Sequence, residues 1–288
     1  MDQAEELRNV IKKQNQRTKK PARIITVTSG KGGVGKSNIA VNLAVQFQRM
    51  GLKTIIFDAD IGLANVEVMF GTIPQYSLND LIYHDKEIED IITDGPEGVG
   101  FISGIMGLSN LTLDQISYLV KSVEKLSVIA DIVIVDTGAG ISDSVMEFVA
   151  SSPEILLVTT PEPSSLTDAY SLLKMLYRNP KYDKNESVIH VLTNRVASFG
   201  EGKMVFDKLE SVVKQFLDGS VHYIGIIPQD AMLEKAVRIQ KPVSIVSPNA
   251  RSSKRFEELA QYLVSGGKQD SSEQNAFRQF LTKLFNLS

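Results

Sequence analysis

The chain is organised around Ser29-Gly30-Lys31-Gly32-Gly33-Val34-Gly35-Lys36-Ser37. The stretch Ile24–Thr28 before it is apolar enough for a buried strand. The residues after it place Ile39, Ala40, Leu43, Ala44 and Phe47 on one face of a helix. Strand, Gly-x-x-x-x-Gly-Lys-Ser, helix is the phosphate-binding loop in its proper context. Glycines let backbone N–H groups turn inward around phosphate oxygens, and the helix N-terminus adds its dipole. Gly30, Gly32, Gly33, Val34 and Gly35 supply the cradle. Lys36 reaches the β- and γ-phosphates and the Ser37 hydroxyl is a Mg²⁺ ligand. A rival pattern overlaps: Gly30-x-Gly32-x-x-Gly35, with Asp58 closing the next strand, also fits a dinucleotide fingerprint. Lys36 and Ser37, a charge and a hydroxyl that a dinucleotide site does not need there, favour a nucleoside triphosphate.

Outward from the loop, apolar runs alternate with helix-patterned stretches. Strands are expected at Ile24–Thr28, Thr54–Asp58, Gly100–Ser103, Ile129–Asp136, Ile155–Thr160, Val188–Thr193 and Tyr223–Ile227. Helices are expected at Ser37–Met50, Leu113–Ser127, Ser142–Ala150, Ser165–Tyr177, Lys203–Leu217, Ala231–Ile239 and Ser252–Val264. Strands apolar at successive positions need cover on both faces, which predicts an α/β fold with a doubly wound, mostly parallel sheet flanked by helices. Ile132-Val133-Ile134-Val135-Asp136 delivers an acid from a buried strand to the metal's surroundings. Thr137-Gly138-Ala139-Gly140 follows as a loop able to move when the γ-phosphate leaves. Asp58 and Asp60 end the second strand on the same side, by the two-residue alternation of an extended chain.

Composition excludes several classes. With no cysteine there is no disulfide, thiolate zinc site, cysteine-ligated cluster or cysteine nucleophile, and a cytoplasmic protein is expected. No apolar run approaches the roughly 18–20 residues of a membrane span. The net charge of −3 divides unevenly: +4 on residues 1–23, +2 on the last fourteen and −9 on the body between. An acidic body argues against direct nucleic-acid binding. His84, His190 and His222 lack metal-ligand spacing. Four segments are expected: an N-terminal arm 1–22, a nucleotide-binding body 23–265, a Gly/Ser/Gln-rich linker 266–274 and an amphipathic helix 275–288.

In that last segment Phe277, Phe280, Leu281, Leu284 and Phe285 form one apolar face flanked by Arg278 and Lys283, a pattern that suits lipid headgroups and equally suits a helix docked on the core. The N-terminal arm opens with Asp2-Gln3-Ala4-Glu5-Glu6-Leu7-Arg8. Asp2 and Glu5 make a capping box, and Ala4, Leu7, Val10 and Ile11 line one side of a short helix.

Lys31, a second lysine inside the glycine loop, is not required by phosphate binding in cis. Here the sequence resembles the deviant Walker A motif, Lys-Gly-Gly-x-x-Lys-Ser/Thr, of the MinD/ParA ATPases. The resemblance implies a Mg²⁺-dependent ATPase cycling between ATP and ADP, with Lys31 contacting the partner's phosphates across an ATP-bound homodimer. Asp58-Ala59-Asp60-Ile61-Gly62-Leu63-Ala64-Asn65 is similar to the family's switch I. This implies that Asp60 orients the attacking water while Asp58 supports Mg²⁺ through water. Asn194, at the end of Val191-Leu192-Thr193-Asn194-Arg195, is implied to bond the adenine, with Ile227-Pro228-Gln229-Asp230 bordering the base through Pro228 and Asp230. On its residues alone Asn194 could equally cap a helix.

Relatives of that motif separate by what is absent. Iron–sulfur carriers need cysteines, and tyrosine kinases of this fold need a tyrosine cluster, but no tyrosine follows Tyr262. Partitioning ParA proteins bind DNA through a basic body. The tail is similar to the membrane-targeting helix of MinD-type proteins, implying reversible association with the inner face of the cell membrane. The Asp2–Arg8 segment resembles the Asp-Gln-Ala-x-x-Leu-Arg motif of the FlhG (FleN/YlxH) family, MinD-like ATPases of flagellar placement and number. That implies stimulation of the FlhF GTPase, a signal-recognition-particle-type enzyme, with Gln3 presented to its active site. It also implies flagellar C-ring proteins or a flagellar transcription regulator as further partners. A cell-division MinD and a nucleotide-gated scaffold with negligible intrinsic hydrolysis are the alternatives.

Overall fold

A computed structural model describes residues 21–60, 65–104, 112–266 and 273–285. The arm residues Asp2, Gln3, Ala4, Leu7 and Arg8, and residues 267–272 of the expected linker, lie outside the described residues. In chain order the elements are β1 (Arg23–Thr28), α1 (Lys36–Arg49), β2 (Thr54–Ala59), α2 (Asn65–Phe70), α3 (Leu78–Tyr83), β3 (Thr93–Asp94), β4 (Gly100–Ile102), α4 (Leu113–Glu124), α5 (Leu126–Ile129), β5 (Ile132–Thr137), α6 (Asp143–Ser151) and β6 (Glu154–Thr159). Then come α7 (Pro163–Arg178), β7 (Val188–Val196), α8 (Phe199–Leu217), β8 (His222–Pro228), α9 (Ala231–Arg238), α10 (Val243–Val246), α11 (Arg251–Gly266) and α12 (Glu273–Leu284).

The eight strands form one sheet in the order β3-β4-β2-β5-β1-β6-β7-β8, parallel throughout except for the two-residue edge strand β3. The expected doubly wound architecture is what forms. Alternation along each strand feeds two layers. Ile25, Val27, Ile56 and Ile134 face α1 and α11 on one side, while Ile24, Ile55, Phe57, Val133 and Val135 face the helices of the other. Register sets the site: Asp136 on β5 pairs with Val27 on β1 and with Asp58 on β2, so two carboxylates and the root of the phosphate loop share the carboxyl edge of the sheet. The order in which strands are added reverses around β1, and the crevice there is where such sheets bind ligands.

Three differences from the sequence expectation have physical causes. The strand expected from Ile129 begins at Ile132, because Leu126–Ile129 form a short helix. The helix expected from Lys203 begins at Phe199, because the Ser198 hydroxyl accepts the Glu201 N–H at 3.1 Å and outweighs two glycines in the first turn. The third concerns the C-terminal segment, which in this structure is docked on the body. Phe277, Phe280, Leu281 and Leu284 are buried, and Phe285 packs beside them. Helix α12 lies against α6, α4 and β1, with Lys283 paired to Glu186 at 2.9 Å on its outer side. An apolar stripe satisfies a sheet face as well as it satisfies lipid, and here it completes the layer over Ile24, Phe57, Val133 and Val135. No helix among the described residues is long and apolar enough to cross a membrane.

Candidate nucleotide site

Two of the loop glycines have separate steric reasons. Gly35 caps α1 with φ of +100°, a left-handed conformation, and a Cβ there would sit 2.5 Å from the Asn194 amide nitrogen. At Gly30 a Cβ would come within 2.1 Å of the Asp168 backbone in α7, so the loop lies directly on that helix. The loop opens into a cleft of about 880 Å³ lined by Gly32, Gly33, Gly35, Lys36, Ser37 and Asp60, among others. That volume suits a nucleotide. Val34 faces the core, so it offers the cleft only backbone.

The charged groups are poised for a polyanion and a cation. Burial lowers the Lys36 pKa, opposed by the charges of Asp136 and Asp60. Asp136 is fully buried and neither oxygen makes a hydrogen bond of normal geometry; burial pushes its carboxyl up to about 7, and the neighbouring Ser37 hydroxyl and Lys36 only partly offset this. Burial likewise raises Asp58 to about 6, although it accepts the backbone N–H groups of Asp60 and Val66. An orphaned buried carboxylate beside a serine hydroxyl fits a cation that neutralises it. No group of three or more acidic or histidine side chains able to hold a metal exists among the described residues. The donor set thus suits Mg²⁺, which is bound through one or two carboxylates plus substrate phosphates, and not an all-protein cage.

Asp60 accepts the Asn65 side-chain amide at 2.7 Å, and a Cβ on Gly138 would come within 3.0 Å of its other oxygen. The second-strand acid and the glycine loop after Asp136 therefore abut. The Gly140 N–H donates to the Ser29 carbonyl at 2.9 Å, joining that loop to the phosphate loop.

Lys31 points elsewhere. Its ammonium donates to Glu162 at 2.7 Å and to the Ser164 hydroxyl at 2.8 Å, and it does not line the cleft. Neither partner was singled out in the sequence; both lie more than 130 residues away, where no local pattern points to them.

The base end of the cleft contains Asn194, Arg195, Pro228, Gln229, Asp230, Leu233 and Val237. Two of the residues expected there have committed side chains. The Asn194 amide donates to the Val34 carbonyl at 2.7 Å and accepts the Arg195 N–H at 2.9 Å. Asp230 caps α9 through the Met232 N–H and holds the Ser252 N–H and hydroxyl on α11, so its carboxylate builds the wall of the cleft. Leu233 and Val237 line the cleft from α9, the helix expected at Ala231–Ile239.

Residues 25–243 match the CobQ/CobB/MinD/ParA nucleotide binding domain. The chain belongs to that family. It is 41% identical over 248 residues to the antiactivator FleN of Pseudomonas aeruginosa, covering 85% of this chain and 87% of that protein. To the flagellum site-determining protein YlxH of Helicobacter pylori it is 34% identical over 272 residues, with 92% and 90% covered. Its fold resembles the septum site-determining protein MinD of Pyrococcus horikoshii complexed with Mg-ADP, at a TM-score of 0.68 and 23% identity, covering 87% of this chain and 99% of that one.

Proposed function

We propose that this chain is a Mg²⁺-dependent ATPase that dimerises on ATP and regulates flagellar placement and number. The phosphate loop with its orphaned Asp136 supports nucleotide and Mg²⁺ binding, and the likeness to FleN and YlxH supports the flagellar role. The single observation that carries the dimer is the position of Lys31: charged, half-exposed and held by Glu162 and Ser164 outside the cleft that Lys36 fills.

In this reading Lys36 holds the β- and γ-phosphates, Asp60 orients the attacking water through its bond from Asn65, and Lys31 of each copy completes the other's site. Ser37 and Asp136 would hold Mg²⁺, with Asp58 behind them; the ion neutralises charge developing on the phosphates. Hydrolysis is slow until a partner completes the site. The body works in the cytoplasm. Helix α12 leaves its seat on the sheet in the ATP dimer and attaches to the inner face of the membrane, where two tails bind far more tightly than one. Residues 1–22 stimulate the FlhF GTPase through Gln3, and C-ring proteins or a flagellar transcription regulator are further partners.

Mixing the protein with FlhF and measuring GTP turnover, with residues 1–22 present, removed or carrying Gln3→Ala, tests the N-terminal role. Stimulation that survives Gln3→Ala refutes it. Co-sedimentation with anionic liposomes tests the tail: equal pelleting with ATP and ADP rules out the nucleotide switch.

A further inference from the structure

Asn194 is 4% exposed although it lies near the end of β7 at the mouth of the nucleotide cleft. Its amide has two anchors. The Nδ2 donates to the Val34 carbonyl at 2.7 Å across 160 residues of chain, and the Oδ1 accepts the Arg195 N–H at 2.9 Å. Two backbone features make room for this arrangement. Arg195 adopts a left-handed φ of 57°, uncommon for a non-glycine residue, at a register irregularity between β7 and β8. Gly35 presents no Cβ, which would otherwise stand 2.5 Å from the amide nitrogen. Val34 and Gly35 are the two residues immediately before Lys36, so the amide grips the phosphate loop at its tightest point.

We propose that Asn194 is a positioning residue for the phosphate loop, a strap from β7 that fixes the Val34–Gly35 peptide so that the loop's N–H groups and Lys36 converge on phosphate. This rests on the nucleotide reading of the cleft and deepens it. Its consequence differs from base recognition. A strap acts on every ligand that carries a polyphosphate, whatever base is attached; an adenine reader acts only on ligands that carry adenine.

The test uses full-length protein and three ligands with Mg²⁺: ATP, GTP and inorganic tripolyphosphate, which has no base. Asn194→Asp keeps the size but puts an acceptor against the Val34 carbonyl, while Asn194→Ala removes the strap without adding charge. Losing one buried hydrogen bond and stranding a carbonyl should weaken all three ligands by a similar factor, on the order of tenfold. In ligand-free protein, amides of residues 34–37 should exchange with solvent faster in both variants while β5 stays protected. Conservation of tripolyphosphate affinity beside lost ATP affinity would overturn the strap and assign Asn194 to the base. Unchanged exchange at residues 34–37 would also overturn it, even if wild-type protein binds none of the ligands. That last result would by itself sink the nucleotide reading and leave the strap to be decided by exchange.

Discussion

Leu281→Ala should loosen helix α12 without unfolding the body. Leu281 is 1% exposed and sits with Phe277, Phe280 and Leu284 over Ile24, Phe57, Val133 and Val135. Truncating a buried leucine to alanine costs about 2–5 kcal/mol, more where the site cannot collapse. A small apolar cavity of about 20 Å³ already lies beneath the helix, so its packing is short of saturated and a tethered helix can settle further. A middle value of about 3 kcal/mol applies, which shifts the docked-to-undocked equilibrium on the order of one hundredfold. Native-state hydrogen exchange resolves this by segment. Amides of residues 277–284 should exchange roughly one hundred times faster, whereas Ile132–Thr137 in β5 should keep wild-type protection. If both segments accelerate by the same factor, the helix opens only with the whole domain and is no releasable element. If neither changes, Leu281 does not anchor it.

The charged site gives sharper signs. Lys36→Ala should weaken ATP binding by about tenfold to one hundredfold in a calorimetric titration, because a charge-assisted hydrogen bond contributes about 1.5–3 kcal/mol. Glu162→Gln should leave the melting temperature within about 2 °C, since its pair with Lys31 is exposed on both sides, yet promote the ATP-dependent dimer seen by sedimentation; Lys31→Ala should abolish that dimer while retaining ATP affinity. Burial holds the Asp136 carboxyl up to about 7 against its usual 3.8, so the folded state binds this proton more tightly than the unfolded chain. The group's contribution to stability is thus full below about pH 4 and lost as pH rises through about 7. Asp136→Asn should therefore raise the melting temperature of nucleotide-free protein at pH 8, change it little at pH 4, and lose the extra stability that Mg-ATP confers; a lower melting temperature at pH 8 refutes this assignment.

What the sequence discloses follows from how local each determinant is. The phosphate loop is legible because its strand, glycines, lysine and helix occupy one continuous run, and the glycine at position 35 already announces a left-handed turn. The buried strands are legible because a sheet covered on both faces leaves no polar alternation. The Ser198-x-x-Glu201 cap was a local signal too, and two glycines beside it masked it. The partners of committed side chains are a different matter. Glu162 and Ser164 meet Lys31, and Val34 meets Asn194, only because parallel crossovers bring loops from β1, β6 and β7 to one edge of the sheet. A motif supplies the residue type but not the atom that already occupies its hydrogen bond. The tail shows the same gap most plainly: periodicity reveals that Phe277, Phe280, Leu281 and Leu284 need an apolar surface, while the surface itself belongs to strands more than 130 residues earlier. A face of this kind fits a sheet and a lipid surface alike, so periodicity alone does not say which of them it meets.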